Sequence, residues 1–263
     1  MTVSILFLGG LLLLTIAGPW FSPYLYDRQD PHALLEAPSA HHWMGTDKLG
    51  RDLFTRLAEG GRLSLFIGIS SAFAALMIGT LYGGISGYFG KNFDQVMMRF
   101  VDVVFALPDL LLIILMMVLL GRGFFEIFLA LTFVSWVTVA RLVRGEVLRV
   151  KGEAFIEAAA ALGAKPHRLL LFHILPNIFG PLIVTLSYRI PAAILAESTL
   201  SFVGLGLAPP SASWGIMANE GWSSMKFYPH LILFPSLAIF FTILSLNTLG
   251  DRLRDYLDPQ HNR

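Results

Sequence analysis

Arg189 and Glu197 are charged residues in a stretch that lipid should cover. The apolar run from Asn177 to Gly206 is long enough to cross a bilayer, and both residues interrupt it. At mid-membrane each would cost roughly 2.5–3.5 kcal/mol. Along a helix their Cα atoms lie about 12 Å apart, too far for direct contact. Each must therefore face water, another helix or another subunit, and the expectation is a pore or a subunit interface. The alternative for Glu197 is hydration near the outer interface. Pro181 and Pro191 loosen the backbone of the same run. Acid–base catalysis by Glu197, Arg189 and His173 would need more than these residues. The sequence has no His-Glu-x-x-His, no Gly-x-Ser-x-Gly and no paired intramembrane carboxylates, and His173 falls outside the run. His41 and His42 are adjacent, so they point apart, and no third metal ligand is evident. No catalytic, cofactor or metal site is expected.

A second polar stretch, Gly152 to Asn177, reads GEAFIEAAAALGAKPHRLLLFHILPN. Glu157 to Leu162 is a helix former of mostly Ala and Glu. Gly163 can end that helix in the left-handed conformation, and Pro166 is placed to open the next. Pro176 then breaks the second helix as the chain re-enters an apolar run. The expected product is a small helix–turn–helix whose first helix has little side-chain bulk, open to close approach by another surface. On spacing alone it is equally a basic loop joining two spans.

The elements that must position these residues follow from composition. Of 263 residues, 55% are hydrophobic and 14% charged, against about 25% charged in an average soluble domain. The class is integral membrane protein. A formal net charge of +1 gives no reason to expect a nucleic-acid partner, and the absence of cysteine excludes disulfides and thiol catalysis. Met1 to Tyr26 carries no charge, hence no basic region of a cleaved signal, and reads as a retained first span.

Six apolar runs are long enough to span: Thr2–Trp20, Leu63–Gly90, Val103–Gly121, Phe124–Ala140, Asn177–Gly206 and Tyr228–Gly250. The fourth is the weakest, and five spans is the fallback. Basic residues concentrate in the connection carrying the Ala-rich helix: Arg141, Arg144, Arg149, Lys151, Lys165 and Arg168. That bias places this loop and both termini in the cytoplasm. Arg141 and Arg144 share a helix face. They either snorkel to headgroups or hold the loop against a partner. Asp94, Arg99 and Asp102 are expected to pair locally, and Pro108 to bend the third span. Gly79, Gly83 and Gly87 form a small-residue stripe for close helix packing. The organisation expected is a first span (1–20), an external segment (21–62), a five-helix core (63–250, with a cytoplasmic loop at 150–176) and a cytoplasmic tail (251–263). In the external segment Asp47 is read as a helix cap, followed by Leu49, Leu53, Phe54 and Leu57 on one face of an interfacial amphipathic helix. Trp214 and Trp222 suit the interface belt.

Three stretches carry a resemblance. Glu157-Ala158-Ala159, Gly163 and His173-Ile174-Leu175-Pro176 resemble the EAA loop of ABC importer permeases. His173 stands where the general pattern has Ile, and the His-Ile-Leu-Pro-Asn form resembles the peptide and nickel branch. The WMGTDKLGRD stretch from Trp43 to Asp52 is similar to the segment after the first span in that branch. Leu200 to Pro210 with Trp214-Gly215 resembles its LSFLGLG…PP…WG signature, with Val203 for the commoner Leu. The resemblance runs from Trp43 to Pro259. It implies an all-α permease of six transmembrane helices, working with a second related permease, two ATP-binding subunits and an external solute-binding protein.

By the same resemblance Glu157, Ala158, Ala159, Leu162, Gly163, His173 and Pro176 belong to the contact with an ATP-binding subunit, and the Glu157–Leu162 helix transmits its motion. ATP and Mg would be bound by those subunits, since this chain has no Gly-x-x-x-x-Gly-Lys-Ser/Thr loop. The expected cargo is dipeptides or oligopeptides. Nickel or a metal chelate is the alternative, and glutathione-like peptides fit the same machinery. The rival classes are a membrane-embedded enzyme and a stand-alone channel.

Overall fold

The computed structural model describes residues 2–257, and the regular structure among them is helical apart from one antiparallel bridge between Thr46 and Asp52. Five helices are long and apolar enough to cross a membrane: α1 (Thr2–Phe21), α2 (Leu53–Phe89), α5 (Phe124–Lys151), α9 (Phe179–Phe202) and α11 (His230–Leu257). A sixth span exists only as a bent pair. α3 (Lys91–Phe105) and α4 (Asp109–Leu120) meet at 84°. The twelve residues of α4 reach about 18 Å, short of the ~30 Å hydrocarbon core. Pro108 causes the break, because it disfavours the helical conformation at Leu107. Its own extended backbone then leads into α4.

α2 begins ten residues before the expected Leu63, and its 37 residues extend about 55 Å. Its N-cap is Asp52, whose carboxylate accepts from the Thr55 amide at 2.9 Å. Asp47 is not a cap. It turns back on itself instead, accepting from the amides of Leu49 and Arg51. The expected amphipathic helix therefore does not form separately: Leu53, Phe54 and Leu57 lie in the first turns of α2, and Leu49 stays in the preceding loop.

α2 packs along α5 and α9. Gly79, Gly83 and Gly87 all face α5. A Cβ at Gly79 would come within 2.6 Å of Val139, one at Gly83 would strike the Ala140 carbonyl, and one at Gly87 would meet the Arg144 carbonyl at 3.0 Å. An apolar cluster of Ala75, Val101, Val104, Trp136, Val137 and Ala140 lies on this seam, and three more lie around it. One joins Ile67, Ile113, Met117, Ile127 and Leu200 of α2, α4, α5 and α9. Another holds Val139, Val143, Val147 and Val150 of α5 with Ile174, Ile178 and Leu182. A third, around Leu53, Leu57, Ile194, Trp214 and Leu231, closes the opposite end.

The bundle thus has two ends. At the strap end, residues 22–52 fold over the starts of α2 and α11 and over α10 (Trp214–Trp222). There Ser22 meets Thr55, and Gly45 lies against His230. At the loop end stand the end of α2, the start of α3, the end of α5 and α6 (Ala154–Ala161). Lys151 of α5 donates to the Tyr88 carbonyl of α2. α11 runs on through Asp251–Leu257, whereas residues 258–263 of the expected tail lie outside the described residues.

Candidate functional site

The loop end is built on one anchor. Ile156 of α6 is buried in the cluster formed by α5 and the segment after α6, while Glu157, Ala158, Ala160 and Ala161 are exposed. Ala159 is half-buried, and Leu162 is 90% exposed. Gly163 has φ +86°. The Gly163 amide donates to Ala160 and the Ala164 amide to Ala159, so the carbonyls at the end of α6 are satisfied in a Schellman motif that needs a left-handed residue. Pro166 opens α7 (Pro166–Arg168) at its first turn. The helix then widens into π turns over Leu169–Ile174, with the Leu175 amide donating to the Leu170 carbonyl. The half-buried His173 lies in this widened segment, and its carbonyl accepts from Asn177 at 2.6 Å. The exposed Pro176 sits in the short α8 (Leu175–Asn177), just before the break at Ile178 that starts α9. Leu171, Phe172 and Phe179 add exposed apolar surface. The result is a small apolar ledge of low bulk, held from behind.

Next to it the carboxylates of α3 pair across to α5 and not with each other. Arg144 donates Nε and Nη2 to Asp94 at 2.6 and 2.5 Å, and Ser86 also donates to Asp94. Arg141 bonds Asp102 and lies over the Phe105 ring. The expected local pairing of Asp94, Arg99 and Asp102 is thus replaced by two bridges that hold the amphipathic α3 against α5. Arg141 and Arg144 are engaged within the chain.

At the strap end a cluster of charges is paired within the chain. The side chain of Arg56 is 0% exposed; its Nη2 donates to Glu220 at 2.8 Å, and its Nε lies 3.5 Å from Asp47. Arg51 shares both acids, with Nε donating to Asp47 at 2.6 Å and Nη2 to both oxygens of Glu220 at 3.0 Å. Lys48 donates to Ser223, which caps the C-terminal end of α10. His42 stacks on Tyr24 and bonds Asp52 at 2.9 Å. Among the described residues, no group of three or more His, Asp or Glu side chains is arranged to hold a metal ion. This lattice clamps the WMGTDKLGRD stretch onto α2 and α10. Arg56 and Glu220 belong to no motif, and only their pairing in the fold reveals them.

Glu197 requires a correction. It faces neither a pore nor a second subunit, being 0% exposed within this one chain. Ser64 of α2 and Ser201 of α9 donate to its carboxylate at 2.9 and 2.7 Å, and Ser198 lies at 3.4 Å. The hydroxyls take the place of water, which is why an apolar span can hold an acid here. Ser201, four residues on from Glu197 along the helix, was a legible signal of this nest. Trp214 is also displaced from its expected place at the interface: it is fully buried, with Nε1 donating to Leu57, while Trp222 is 56% exposed. Arg189, by contrast, is half-buried and makes no ion pair within 4 Å among the described residues.

Comparison with known proteins matches this geometry to one family. The sequence model described as "Binding-protein-dependent transport system inner membrane component" matches residues 79–263. The chain is 44% identical over 250 residues to the oligopeptide transport system permease protein OppC of Bacillus subtilis, covering 95% of this chain and 82% of that protein. It is 45% identical over 254 residues to the dipeptide transport system permease protein DppC of the same organism, covering 96% and 79%. Against the glutathione transport system permease protein GsiD of Pectobacterium atrosepticum it is 44% identical over 257 residues, covering 96% and 85%. Among solved structures, the inward-facing MetNI methionine ABC transporter superposes with a TM-score of 0.63 at 17% identity, over 76% of this chain and 94% of that one. That likeness concerns the fold.

Proposed function

From the family of inner membrane components of binding-protein-dependent transport systems, to which this chain belongs, we infer that it forms part of the membrane pathway of an ATP-driven importer of short peptides. Its partners on this reading are a second related permease, two ATP-binding subunits and an external solute-binding protein. The loop end faces the cytoplasm with both termini, and the strap end faces outward. ATP and Mg are held by the ATP-binding subunits, and this chain turns their motion into a change of access across the bilayer.

The observation that carries the mechanical half of this reading is the ledge of α6. A short helix of Ala, anchored by Ile156 and ending in a 90% exposed Leu162, fits a partner groove that needs close backbone approach. Glu157 in its first turn favours the helix N-terminus. Peptide cargo is supported by relatives named for oligopeptides and dipeptides. A relative named for glutathione, itself a short peptide, supports a second reading within the same class.

Co-purification tests the assembly. A tagged chain expressed with its neighbouring subunits should bring down an ATP-binding subunit, and proteoliposomes of the complex should import labelled dialanine or glutathione only with ATP and binding protein present. Recovery of the tagged chain without an ATP-binding subunit would overturn the reading. Gly163→Val sharpens it. The left-handed φ costs a β-branched residue roughly 1–2 kcal/mol, so the ledge should reorient. ATP-binding subunit recovery should then fall at least about tenfold while membrane insertion is unchanged.

A further inference from the structure

α3 is divided lengthwise into three faces, and one of them packs inside the chain. Asp94, Val101 and Val104 are buried against α2 and α5. Phe93, Val96, Phe100 and Val103 recur at steps of three and four residues, which puts them on one side of the helix. All four are exposed, Val96 to 73%. Lys91, Gln95 and Arg99 follow at steps of four on the remaining face, and they too are exposed.

The direction of α3 follows from its neighbours. α4 runs along α5, since Ile113 and Met117, one turn apart, pack in one cluster with Ile127 and Leu131, also one turn apart. α3 meets α4 at 84° and so lies across α5. It touches α5 through Val101 and Val104, which cluster with Trp136 and Ala140. The apolar run of α5 ends at that level: Ala140 is followed at once by Arg141, with Arg144 one turn on. There a span passes from hydrocarbon to headgroups. α3 therefore lies flat at the bilayer boundary, with a bare apolar stripe along it.

Charge decides what kind of surface it meets. Both acids of α3 are matched inside the chain, Asp94 by Arg144 and Asp102 by Arg141. Lys91 and Arg99 make no ion pair or side-chain hydrogen bond among the described residues. The helix thus offers apolar side chains beside two free cations, the pattern of a helix that lies in an anionic membrane surface. We propose that α3 is an anchor for anionic phospholipid, with Phe93, Val96, Phe100 and Val103 set among the acyl chains and Lys91 and Arg99 on the headgroup phosphates. The proposal goes beyond the importer reading and needs only that the chain spans a bilayer. Through the Asp94–Arg144 and Asp102–Arg141 bridges the anchored helix holds α5, which leads into α6.

Single cysteines test this, because the chain has none of its own. The chain is reconstituted with its neighbouring subunits into phosphatidylcholine vesicles, with an environment-sensitive fluorophore on Val96→Cys. Lipid carrying a shallow doxyl group should quench that label, and aqueous acrylamide should not. On Gln95→Cys, at the polar face, the order should reverse. Doxyl phosphatidylglycerol should quench the Val96→Cys label at least about threefold more than doxyl phosphatidylcholine. That preference should vanish in Lys91→Gln/Arg99→Gln and in ~0.5 M salt, and persist in Arg99→Lys. The double substitution should leave Tm in detergent unchanged, so that a lost preference is not a lost fold. Quenching of Val96→Cys by neither agent means that another protein covers the stripe, and quenching by acrylamide alone means that it lines a water path. Either result overturns the anchor, as does equal quenching by the two lipids. Absence of an ATP-binding subunit from the preparation, with the lipid preference intact, defeats the importer reading and leaves the anchor standing.

Discussion

At the strap end, Arg56 is completely buried and shares Asp47 and Glu220 with Arg51. At the loop end, Leu162 is 90% exposed on a helix whose one buried side chain is Ile156. The first region places costly groups inside and pairs their charges within its own chain, although Nε and Nη1 of Arg56 find no hydrogen-bond partner among the described residues. The second places inexpensive groups outside, where none of the described residues covers them. A membrane subunit that only had to fold would have no use for the second arrangement. The contrast separates residues that hold the protein together from residues that await another protein, and each class should fail differently when substituted.

The largest effect is expected from Arg56→Met. Removing one partner from a buried, shared ion lattice costs about 3–5 kcal/mol, here because Asp47 and Glu220 would be left with Arg51 alone. Thermal unfolding of the purified chain in detergent should show a large drop in Tm, and subunit assembly should fail only because the fold fails. An unchanged Tm would break the comparison, since the strap-end charges would then not be structural.

A smaller loss is expected at Glu197. Glu197→Leu strands the hydroxyls of Ser64 and Ser201 and should cost about 2–3 kcal/mol. Glu197→Gln keeps the volume and one acceptor, so its loss should stay below about 1.5 kcal/mol. Thiol labelling of nearby positions should be the same in both variants, because the side chain does not reach a water path. Were Glu197→Gln to abolish transport with stability intact, the assignment of Glu197 to structure would be wrong.

These two sites also mark how far the sequence could be read. The C-terminal end of α6 and the start of α7 were legible because Gly163 and Pro166 act locally, through φ and a missing amide, whereas α6 begins at Ala154, three residues before the expected Glu157. Spans were legible because hydropathy needs no partner. The bend between α3 and α4 was legible in place, at Pro108, but its 84° angle depends on what α3 packs against. The pairs Arg56–Glu220 and Arg144–Asp94 join residues 164 and 50 positions apart, and no spacing rule connects such positions. Glu197 was half legible. Ser198 and Ser201 are local, whereas Ser64 arrives from α2, and without it the acid reads as facing water. From sequence, Asp47 was the cap and Asp52 was passed over. The fold gave the cap to Asp52 because Gly50, at φ +72°, turns the chain immediately before the helix.

The smallest expected change in stability, and the most informative one for the comparison, is at Leu162. Substitution to Ser removes apolar surface that is already in water, so the isolated chain should stay within about 0.5 kcal/mol of the parent. If that surface is buried in a partner's groove, the same change forfeits about 1.5–3 kcal/mol of burial at the contact, which is roughly a 10- to 150-fold weaker association with the ATP-binding subunit. Measuring Tm of the chain alone and subunit affinity on the same preparation separates the two quantities. Loss of affinity with Tm intact means that the loop end carries assembly free energy held by no intrachain contact. Loss of Tm with affinity intact would make the loop end another strap end, and α6 would be structure turned outward by chance.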